Sequence, residues 1–394
     1  MYRLPLIIGI VLLFLTEIAR VYFIMPFPGS QQADTINLAY FIAKNKWFLR
    51  IIGLVLIALP VYRIFTTGRI RIKVLLAIVF IFYGAIFYLF NFRFEADKMF
   101  YQPSNKNFAT AENNTMDGNR LVIGVEINGE AKAFPIQIIG YHHQVKDTIG
   151  NTPVMITYCT VCRTGRVYSP FVQGHPERFR LVGMDHFNAM FEDQTTKSWW
   201  RQATGVSIAG PLKGSALKEI PSRQLTLAAW LREYPDTKIL QPDSLYKRQY
   251  KDLADFDRGT IKGSLEKRDT ASWKMKSWVV GVKSGGQEKA YDWNDLVSQA
   301  IIQDSIAHDP IVILLEKDTA SFHVFNRNVD GRNLWFTRDP GNQILSDTNT
   351  HSLWNMEGRC ISGVLKDTQL QAIPAYQEFW HSWKQFHPNT TQYQ

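Results

Sequence analysis

The sequence predicts an α+β fold that is dominated by strands and consists of two internally duplicated units behind an N-terminal three-helix transmembrane anchor. Three observations predict it. Long apolar stretches precede residue 91, and short strand-like runs alternate with Gly-rich turns after residue 97. The same pattern of residues also occurs twice, with each copy ending in a predicted helix.

The predicted transmembrane helices come first. Residues 4–27, 47–65 and 74–90 are apolar and close to the ~20 residues that cross a bilayer. The first stretch is too long for a cleavable signal peptide. We therefore expect a multi-pass anchor over residues 1–91, and the membrane is the first predicted partner.

Charge sets the expected orientation of these helices. The short loop between the second and third stretches carries Arg63, Arg69, Arg71 and Lys73, and such loops remain in the cytoplasm. The soluble part after residue 91 should then be extracytoplasmic, at the cell (inner, cytoplasmic) membrane.

The basic character of the chain is confined to this anchor. Of the net charge of +9, residues 1–91 contribute +7, from nine basic and two acidic residues. The remaining +2 gives no support to a nucleic-acid-binding surface. Within the first stretch, Glu17 and Arg20 are three residues apart, and this spacing predicts that they pair with each other.

The repeat follows the anchor at an offset of 157 residues. Gly124-Val125 corresponds to Gly281-Val282, and Asp147 to Asp304. The offset later falls to 154 and 153, where Trp200 corresponds to Trp354. The predicted domains are the anchor (1–91), a first repeat (97–240), a linker (241–277) and a second, degenerate repeat (278–390).

Each repeat should contain short strands and one closing helix. In the first repeat, the apolar runs predict strands at 121–127, 131–136, 154–158, 166–168 and 179–182. Helices are expected at 225–234 and 375–386, each stopped by a proline. Because Asp147 and Asp304 occupy the same place in both copies, we expect turn or capping carboxylates there.

The two copies differ in their cysteine and histidine residues. Cys159 and Cys162 correspond to Glu316 and Thr319, and His142 corresponds to Gln299. His186 has no secure counterpart. Residues confined to one copy are the ones free to carry chemistry, so the Cys-x-x-Cys pair is the candidate site.

The leading hypothesis is a thiol-redox protein. Cys159 would be the attacking thiolate and Cys162 the resolving thiol, with Arg163 or Arg166 as the electrostatic activator and His142 as a general base or orienting group. Cationic neighbours favour the thiolate, and an oxidising compartment lets the pair alternate between dithiol and disulfide. The redox partner is unknown.

Two alternatives remain open. Cys159 and Cys162 with His142 and His186 could form a copper or zinc site in a metal-handling module, since thiolates and imidazoles are the ligands that these metals prefer. The second alternative is a non-catalytic interaction module in which the cysteines form a labile disulfide. The residues that follow Cys162 indicate neither covalent haem attachment nor a thioredoxin-like helix. Enzymatic activity therefore stays undecided.

The sequence resembles the domain of unknown function 3179 family, a group of uncharacterised prokaryotic, often membrane-attached proteins. The resemblance covers residues 97–390 and includes His142 to Asp147, Tyr158-Cys159-Thr160-Val161-Cys162 and Ser198 to Gln202. His143 and Thr160 depart from the usual family residues, Glu and Pro. Some members are described as selenoproteins, and the resemblance therefore implies a nucleophilic or redox role for the cysteine pair, without naming a substrate.

Overall fold

The computed structural model describes residues 3–338 and 343–394, and it contains both helices and strands. The predicted mixed α and β composition is confirmed. The helices are α1 (Arg3–Tyr22), α2 (Ile36–Thr67), α3 (Ile70–Tyr88), α4 (Ala96–Met99), α5 (Ile136–His142), α6 (Leu227–Glu233), α7 (Lys247–Asp252), α8 (Trp293–Gln299) and α9 (Trp380–Phe386), with a π-helical turn at Leu89–Arg93 and a 3-10 turn at Ser244–Tyr246.

Most of the strands are short and antiparallel. They are β1 (Phe108–Ala109), β2 (Leu121–Ile127), β3 (Glu130–Pro135), β4 (Gln144–Ile149), β5 (Thr152–Cys159), β6 (Thr164–Tyr168), β7 (Phe171–Val172), β8 (His175–Pro176), β9 (Phe179–Asp185), β10 (Asn188–Asp193), β11 (Trp199–Arg201), β12 (Ser207–Ala209), β13 (Arg223–Thr226), β14 (Lys238–Leu240), β15 (Trp278–Ser284), β16 (Gln287–Asp292), β17 (Ile301–Ile306), β18 (Asp309–Leu315), β19 (Phe322–Asn326), β20 (Asn328–Val329), β21 (Arg332–Asn333), β22 (Phe336–Arg338), β23 (Leu345–Asp347), β24 (Leu353–Trp354), β25 (Cys360–Ser362), β26 (Ala375–Phe379) and β27 (Thr391–Gln392).

The chain divides into two compact units. The first unit comprises Met1–Tyr101, His175–Arg201 and Gly205–Ala216, and the second comprises Gln102–Gly174, Gln202–Thr204 and Leu217–Gln394. In the first unit, α1, α2 and the continuous helical segment Ile70–Arg93 are each long and apolar enough to span a membrane. This unit also holds the antiparallel sheet β12-β11-β10-β9.

Glu17 and Arg20 do not pair with each other, contrary to the expectation from their spacing. Both carboxylate oxygens of Glu17 accept hydrogen bonds from Arg50 on α2, at 2.7 and 2.8 Å. Arg20 instead pairs with Glu95. In both cases a residue on another segment packs closer than the intrahelical neighbour, and each buried charge is neutralised there.

Two sheets in the second unit have the same strand order. One is β13-β2-β3-β14, extended by β1, and the other is β26-β15-β16-β27. In each, the first three strands are antiparallel and the last pair is parallel. A two-residue turn with positive φ angles joins the central strands, at Asn128-Gly129 and at Gly285-Gly286, as tight hairpins require.

A helix and a three-stranded sheet follow each of these central hairpins. Helix α5 leads into β4-β5-β6, and α8 leads into β17-β18-β19. Both helices end at a left-handed residue, His143 (φ 61°) and Ala300 (φ 62°). A tryptophan from the later closing helix covers the central strand in each case, and a side chain at Gly124 or Gly281 would overlap the ring of Trp230 or Trp383.

The predicted closing helices begin too early. Residues 223–226 and 375–379 are strands, and the helices start only at Leu227 and Trp380. The reason is pairing with distant strands, since Leu225 lies opposite Val122 and Phe379 opposite Trp278. Such long-range pairing overrides local helix propensity.

Asp147 and Asp304 are neither turn nor capping residues, so that expectation is wrong. Both lie within strands, β4 and β17. Asp147 forms an ion pair with Lys132 at 2.9 Å, and Asp304 forms one with Lys289 at 2.6 Å. The carboxylates recur because they neutralise a lysine on the neighbouring hairpin.

Candidate functional site

The cysteine pair lies at a tight hairpin turn. Cys159 is the last residue of β5 and pairs with Thr164, the first residue of β6. Between them the chain reverses with the amide of Arg163 donating to the carbonyl of Thr160 and with Arg163 at φ 56°. Both cysteines are free thiols and are fully buried. The hairpin thus brings both sulfurs into the interior of the second unit.

The two sulfurs have polar neighbours inside this interior. Cys162 shares a hydrogen bond with Cys159 and also interacts with Ser382, whose hydroxyl donates its proton to Glu378 Oε2 at 3.0 Å. The Nε2 atom of His381 lies 3.9 Å from Cys162 Sγ. The backbone amide of Phe379 donates to the Cys162 carbonyl at 3.0 Å. The start of α9 therefore packs directly on the cysteine turn.

The tautomer of His381 follows from its second nitrogen. Nδ1 lies 2.9 Å from the carbonyl oxygen of Met275. A carbonyl can only accept, so Nδ1 carries the proton and Nε2 presents its lone pair toward Cys162. Burial, aided by the charge of Lys276, lowers the pKa of His381 to about 3. His381 is thus a neutral hydrogen-bond acceptor for the thiol at physiological pH.

Lys276 supplies the positive charge at the pair. Its Nζ donates to the carbonyl of Val161, between the cysteines, at 2.7 Å. Burial raises the pKa of Cys162 well above its usual value, as does its contact with Cys159, while the Lys276 charge acts in the opposite direction. Because the effect of burial is the larger one, the Cys162 thiol and the His381 imidazole are both uncharged. The two cysteines therefore form a dithiol that is shielded from solvent in this conformation.

The two arginines expected to activate the thiols make their observed contacts elsewhere. Arg163 donates through Nε to Gln377 at 2.8 Å and lies 3.9 Å from the ring of Trp278. Arg166 forms a buried ion pair with Glu378 and stacks on Tyr376. Both guanidinium groups hold the two halves of the second unit together, and Lys276 is the cation whose charge acts on Cys162.

His142 lies in a cluster of tyrosines. Its Nε2 is 2.6 Å from the hydroxyl of Tyr250, and its ring contacts Tyr141 and Tyr246 edge-on. That nitrogen is therefore engaged by a phenol. A histidine nitrogen that lies beside a cysteine sulfur is Nε2 of His381, at 3.9 Å from Cys162 Sγ.

His186 belongs to the first unit, whereas both cysteines belong to the second. Its Nδ1 is 2.8 Å from Asp185 and its Nε2 is 3.4 Å from Asp34. The hydrogen bond to Asp185 raises the pKa of His186. Both ring nitrogens thus face carboxylates within the same unit.

The residues present do not fit the expected copper or zinc site. Across residues 3–338 and 343–394, no group of three or more His, Cys, Asp or Glu side chains has a spacing that could hold a metal ion. Structural zinc requires four such ligands and catalytic zinc three. His142 and His186, the two proposed imidazole ligands, make the contacts described above.

Lys276, His381 and Ser382 were not predicted as site residues from the sequence. His381 and Cys162 are 219 residues apart, so no local motif connects them. The comparison of the two copies could nevertheless have found the histidine. At the offset of 153, His381 and Ser382 correspond to Ala228 and Ala229, which makes them polar residues confined to one copy, as the cysteines are.

Comparison with known proteins identifies the family. The family described as protein of unknown function (DUF3179) matches residues 102–390. No curated protein and no solved structure matches the chain. The matched segment covers well over half of the chain and includes the cysteine turn, Lys276 and His381, and the chain therefore belongs to the DUF3179 family.

Proposed function

We propose that this chain is a membrane-anchored thiol-redox protein in which Cys159 and Cys162 alternate between dithiol and disulfide. The observation that carries the proposal is the 3.9 Å approach of the His381 Nε2 lone pair to Cys162 Sγ. Hydrogen bonding between the two cysteines supports it as well. A pair of adjacent sulfurs, a proton acceptor and a buried ammonium group are the components that dithiol exchange uses.

Cys162 is the attacking sulfur in this proposal, because the His381 Nε2 lone pair lies 3.9 Å from its Sγ and the Lys276 charge favours its thiolate. The co-reactant is a disulfide of a small thiol or a peptide. As Cys162 Sγ attacks one sulfur of that disulfide, its proton passes by way of His381 Nε2 to the other sulfur, which leaves as a thiol. Cys159 Sγ then attacks Cys162 Sγ in the mixed disulfide and gives its proton to the second sulfur of the co-reactant, so that the internal disulfide forms and the second thiol is released. The co-reactant gains two electrons, and the protein loses them.

A short segment controls access to the sulfurs in this proposal. The backbone amide and Nδ1 of His381 both bond to the carbonyl of Met275, and Lys276 covers the turn through Val161. The Met275 side chain itself is 64 % exposed. Movement of residues 273–277 would let water and the co-reactant reach the pair, and it would lower the pKa of Cys162 by hydrating it.

We further infer that the soluble part arose by internal duplication and lies outside the cytoplasm. The duplication is supported by the shared strand order, by the left-handed caps at His143 and Ala300, and by the same tryptophan-over-glycine packing. On this basis the repeats extend over residues 97–240 and 278–390. The orientation is supported by the basic loop between α2 and α3, and it places the thiols in an oxidising compartment.

A redox titration of the full chain in detergent tests the redox function. The protein is equilibrated with glutathione buffers of graded potential, and free thiols are counted with a maleimide that shifts gel mobility. We expect a two-electron transition above about −300 mV, which Cys159→Ser and Cys162→Ser abolish and Cys360→Ser leaves unchanged. His381→Gln should slow the approach to equilibrium without moving the midpoint. If the pair stays reduced at every potential, with residues 273–277 removed or intact, the proposal is wrong.

A further inference from the structure

A cationic cavity in the first unit is unrelated to the cysteine pair. It has a volume of about 360 Å³ and lies among the C-terminal end of α1, the N-terminal part of α2, the segment after α3, and the sheet β9–β12. Both charged and apolar residues line it. The charged members are Arg20, Lys44, Lys46, Glu95, Arg180, Glu192 and Lys197.

The position of the cavity along α2 places it at the level of lipid headgroups. Helix α2 has 32 residues, whereas about 20 residues cross the hydrocarbon core at 1.5 Å per residue. Counting back from Thr67 at the basic-loop end, the hydrocarbon span ends near Phe48. Trp47 and Phe48 are exposed there, as aromatic residues at a membrane interface are. Tyr40, Lys44 and Lys46 therefore lie just beyond the hydrocarbon.

The lining has an excess of positive charge. Five of its residues are cationic and two are carboxylates, which leaves an excess of three. Glu95 is paired with Arg20 and Glu192 with Arg180. Lys44, Lys46 and Lys197 form no ion pair within the described part of the chain. The uncompensated charges therefore come from these three lysines, at the end of α2 and in the β10–β11 turn.

Two buried polar atoms at the cavity also lack a partner. The Nε atom of Arg20 and the hydroxyl of Tyr40 have no hydrogen-bond partner among residues 3–338 and 343–394. Arg20 is only 5 % exposed. Buried donors without a partner cost free energy, and both of these belong to residues that line the cavity. An acceptor-rich anion would satisfy them.

We propose that this cavity binds the phosphate-containing headgroup of an anionic membrane phospholipid. Phosphate oxygens would accept from Arg20 and Tyr40 and neutralise the lysine ammonium groups. The apolar side of the cavity, formed by Val21, Ile24 and Phe94, is suited to the first carbons of the acyl chains. A zwitterionic headgroup brings its own cation and would leave the three lysines uncompensated. The proposal goes beyond the redox function and is independent of it.

The test uses the full chain in nanodiscs that contain phosphatidylcholine with increasing amounts of phosphatidylglycerol. Native mass spectrometry after release into detergent counts the phospholipids retained per chain. We expect one phosphatidylglycerol to be retained in preference to phosphatidylcholine. Lys46→Gln and Lys197→Gln should each reduce this preference about fivefold, which corresponds to the contribution of one basic residue at an anionic membrane surface.

Three controls make the outcome decisive. Lys98→Gln removes the same charge from an exposed residue of the first unit that does not line the cavity, and it should leave the preference unchanged. Melting of each variant in detergent identifies any that fails to fold, and Tyr40→Phe provides a milder second variant in that case. Binding of added inorganic phosphate shows whether the cavity selects a phospholipid or any free anion. Equal retention of both lipids, an equal effect of Lys98→Gln, or occupancy by phosphate without lipid preference would each overturn the proposal.

Discussion

Gln224 and Gln377 hydrogen bond to each other, with Nε2 of Gln224 donating to Oε1 of Gln377 over 2.8 Å. The two residues correspond at the offset of 153 and lie on the edge strands β13 and β26. The sheets that contain β13 and β26 thus contact each other through these two glutamines. The Gln377 oxygen also accepts from Nε of Arg163 at 2.8 Å, which links this contact to the cysteine turn.

The contacts on either side of this hydrogen bond are reciprocal. The amide of Phe379, just before α9, donates to the carbonyl of Cys162 in the β5–β6 turn at 3.0 Å. The amide of Thr226, just before α6, donates to the hydroxyl of Ser321 in the β18–β19 turn at 2.9 Å. The β5–β6 turn therefore packs on the corner between β26 and α9, and the β18–β19 turn packs on the corner between β13 and α6. The candidate site lies at the first of these two contacts, where the turn carries the cysteines and the corner carries His381.

The first prediction concerns the glutamine contact. Gln377→Leu should lower the free energy of unfolding by about 2–3 kcal/mol, because it leaves the buried charged Nε of Arg163 without an acceptor. Gln224→Leu removes one neutral hydrogen bond and should cost about 1 kcal/mol. Urea unfolding of the full chain in detergent, followed by tryptophan fluorescence, measures both. Equal losses for the two variants would show that Gln377 does not support Arg163.

The second prediction concerns the buried ion pair of Arg166 and Glu378. Arg166→Met leaves an uncompensated carboxylate in the interior and should destabilise the chain by about 3–5 kcal/mol. The double variant Arg166→Met/Glu378→Met removes both charges and should recover most of that loss. The exposed pair of Arg359 and Asp367 is the matched control, and its removal should change stability by less than about 1 kcal/mol. A double variant as unstable as the single one would contradict this account.

The sequence predicted the local elements of the fold better than the long-range ones. The run at 121–127 coincides with β2, and each of the three apolar stretches before residue 91 overlaps one of the helices α1 to α3, although α2 begins at Ile36, well before the predicted stretch 47–65. These elements depend on residue pattern and length alone. The starts of the closing helices were wrong because Arg223–Thr226 and Ala375–Phe379 are held as strands by partners about 100 residues away.

The same distinction applies to the site. The sequence selected the Cys-x-x-Cys pair as the candidate site, and the structure has the two cysteines at one hairpin turn. Arg163 and Arg166 were predicted to activate the thiols because they are close to the cysteines in sequence. Their guanidinium groups bind Gln377 and Glu378 instead. The groups that act on Cys162 come from β26–α9 and from the segment before β15. Their positions depend on how β26 and α9 pack on the β5–β6 turn, and this long-range packing has no local sequence signal.

The third prediction concerns the reactivity of Cys162 as pH changes. Burial raises its pKa, so the thiolate is scarce at pH 7, and alkylation by iodoacetamide should accelerate with pH to beyond 9. Lys276→Met removes the charge that opposes this shift and should slow the reaction at each pH below the thiol pKa. The measurement uses Cys159→Ser/Cys360→Ser protein and intact-mass detection.

An exposed thiol provides the reference for that experiment. Val364 is 79 % exposed, and Val364→Cys in a chain without the native cysteines should react as an ordinary thiol with a pKa near 8.5. Reaction of Cys162 at pH 7 as fast as that of Val364→Cys would show that the pair is open in solution. Slow reaction that does not respond to Lys276→Met would remove the lysine from the site.

The last prediction is a dependence of stability on pH that arises at His143. Burial lowers the pKa of this histidine to about 4, an effect that the neighbouring His142 reinforces. The unfolded chain, in which histidine has a pKa near 6.5, binds a proton at pH 5 that the folded chain does not. The contribution of this group to the free energy of unfolding is therefore fully present above about pH 6.5 and decreases as the pH falls toward 4, by about 2 kcal/mol at pH 5.

His143→Asn removes the titrating ring and retains a residue that tolerates the left-handed backbone at φ 61°. Melting of the variant between pH 5 and 7.5 should show a shallower decline than that of the parent chain, whereas His308→Asn, at an exposed position, should leave the decline as it is. Identical slopes for the parent and His143→Asn would mean that acid destabilisation originates elsewhere, with His381 and His387 as the next residues to replace, because burial lowers the pKa of each to about 3.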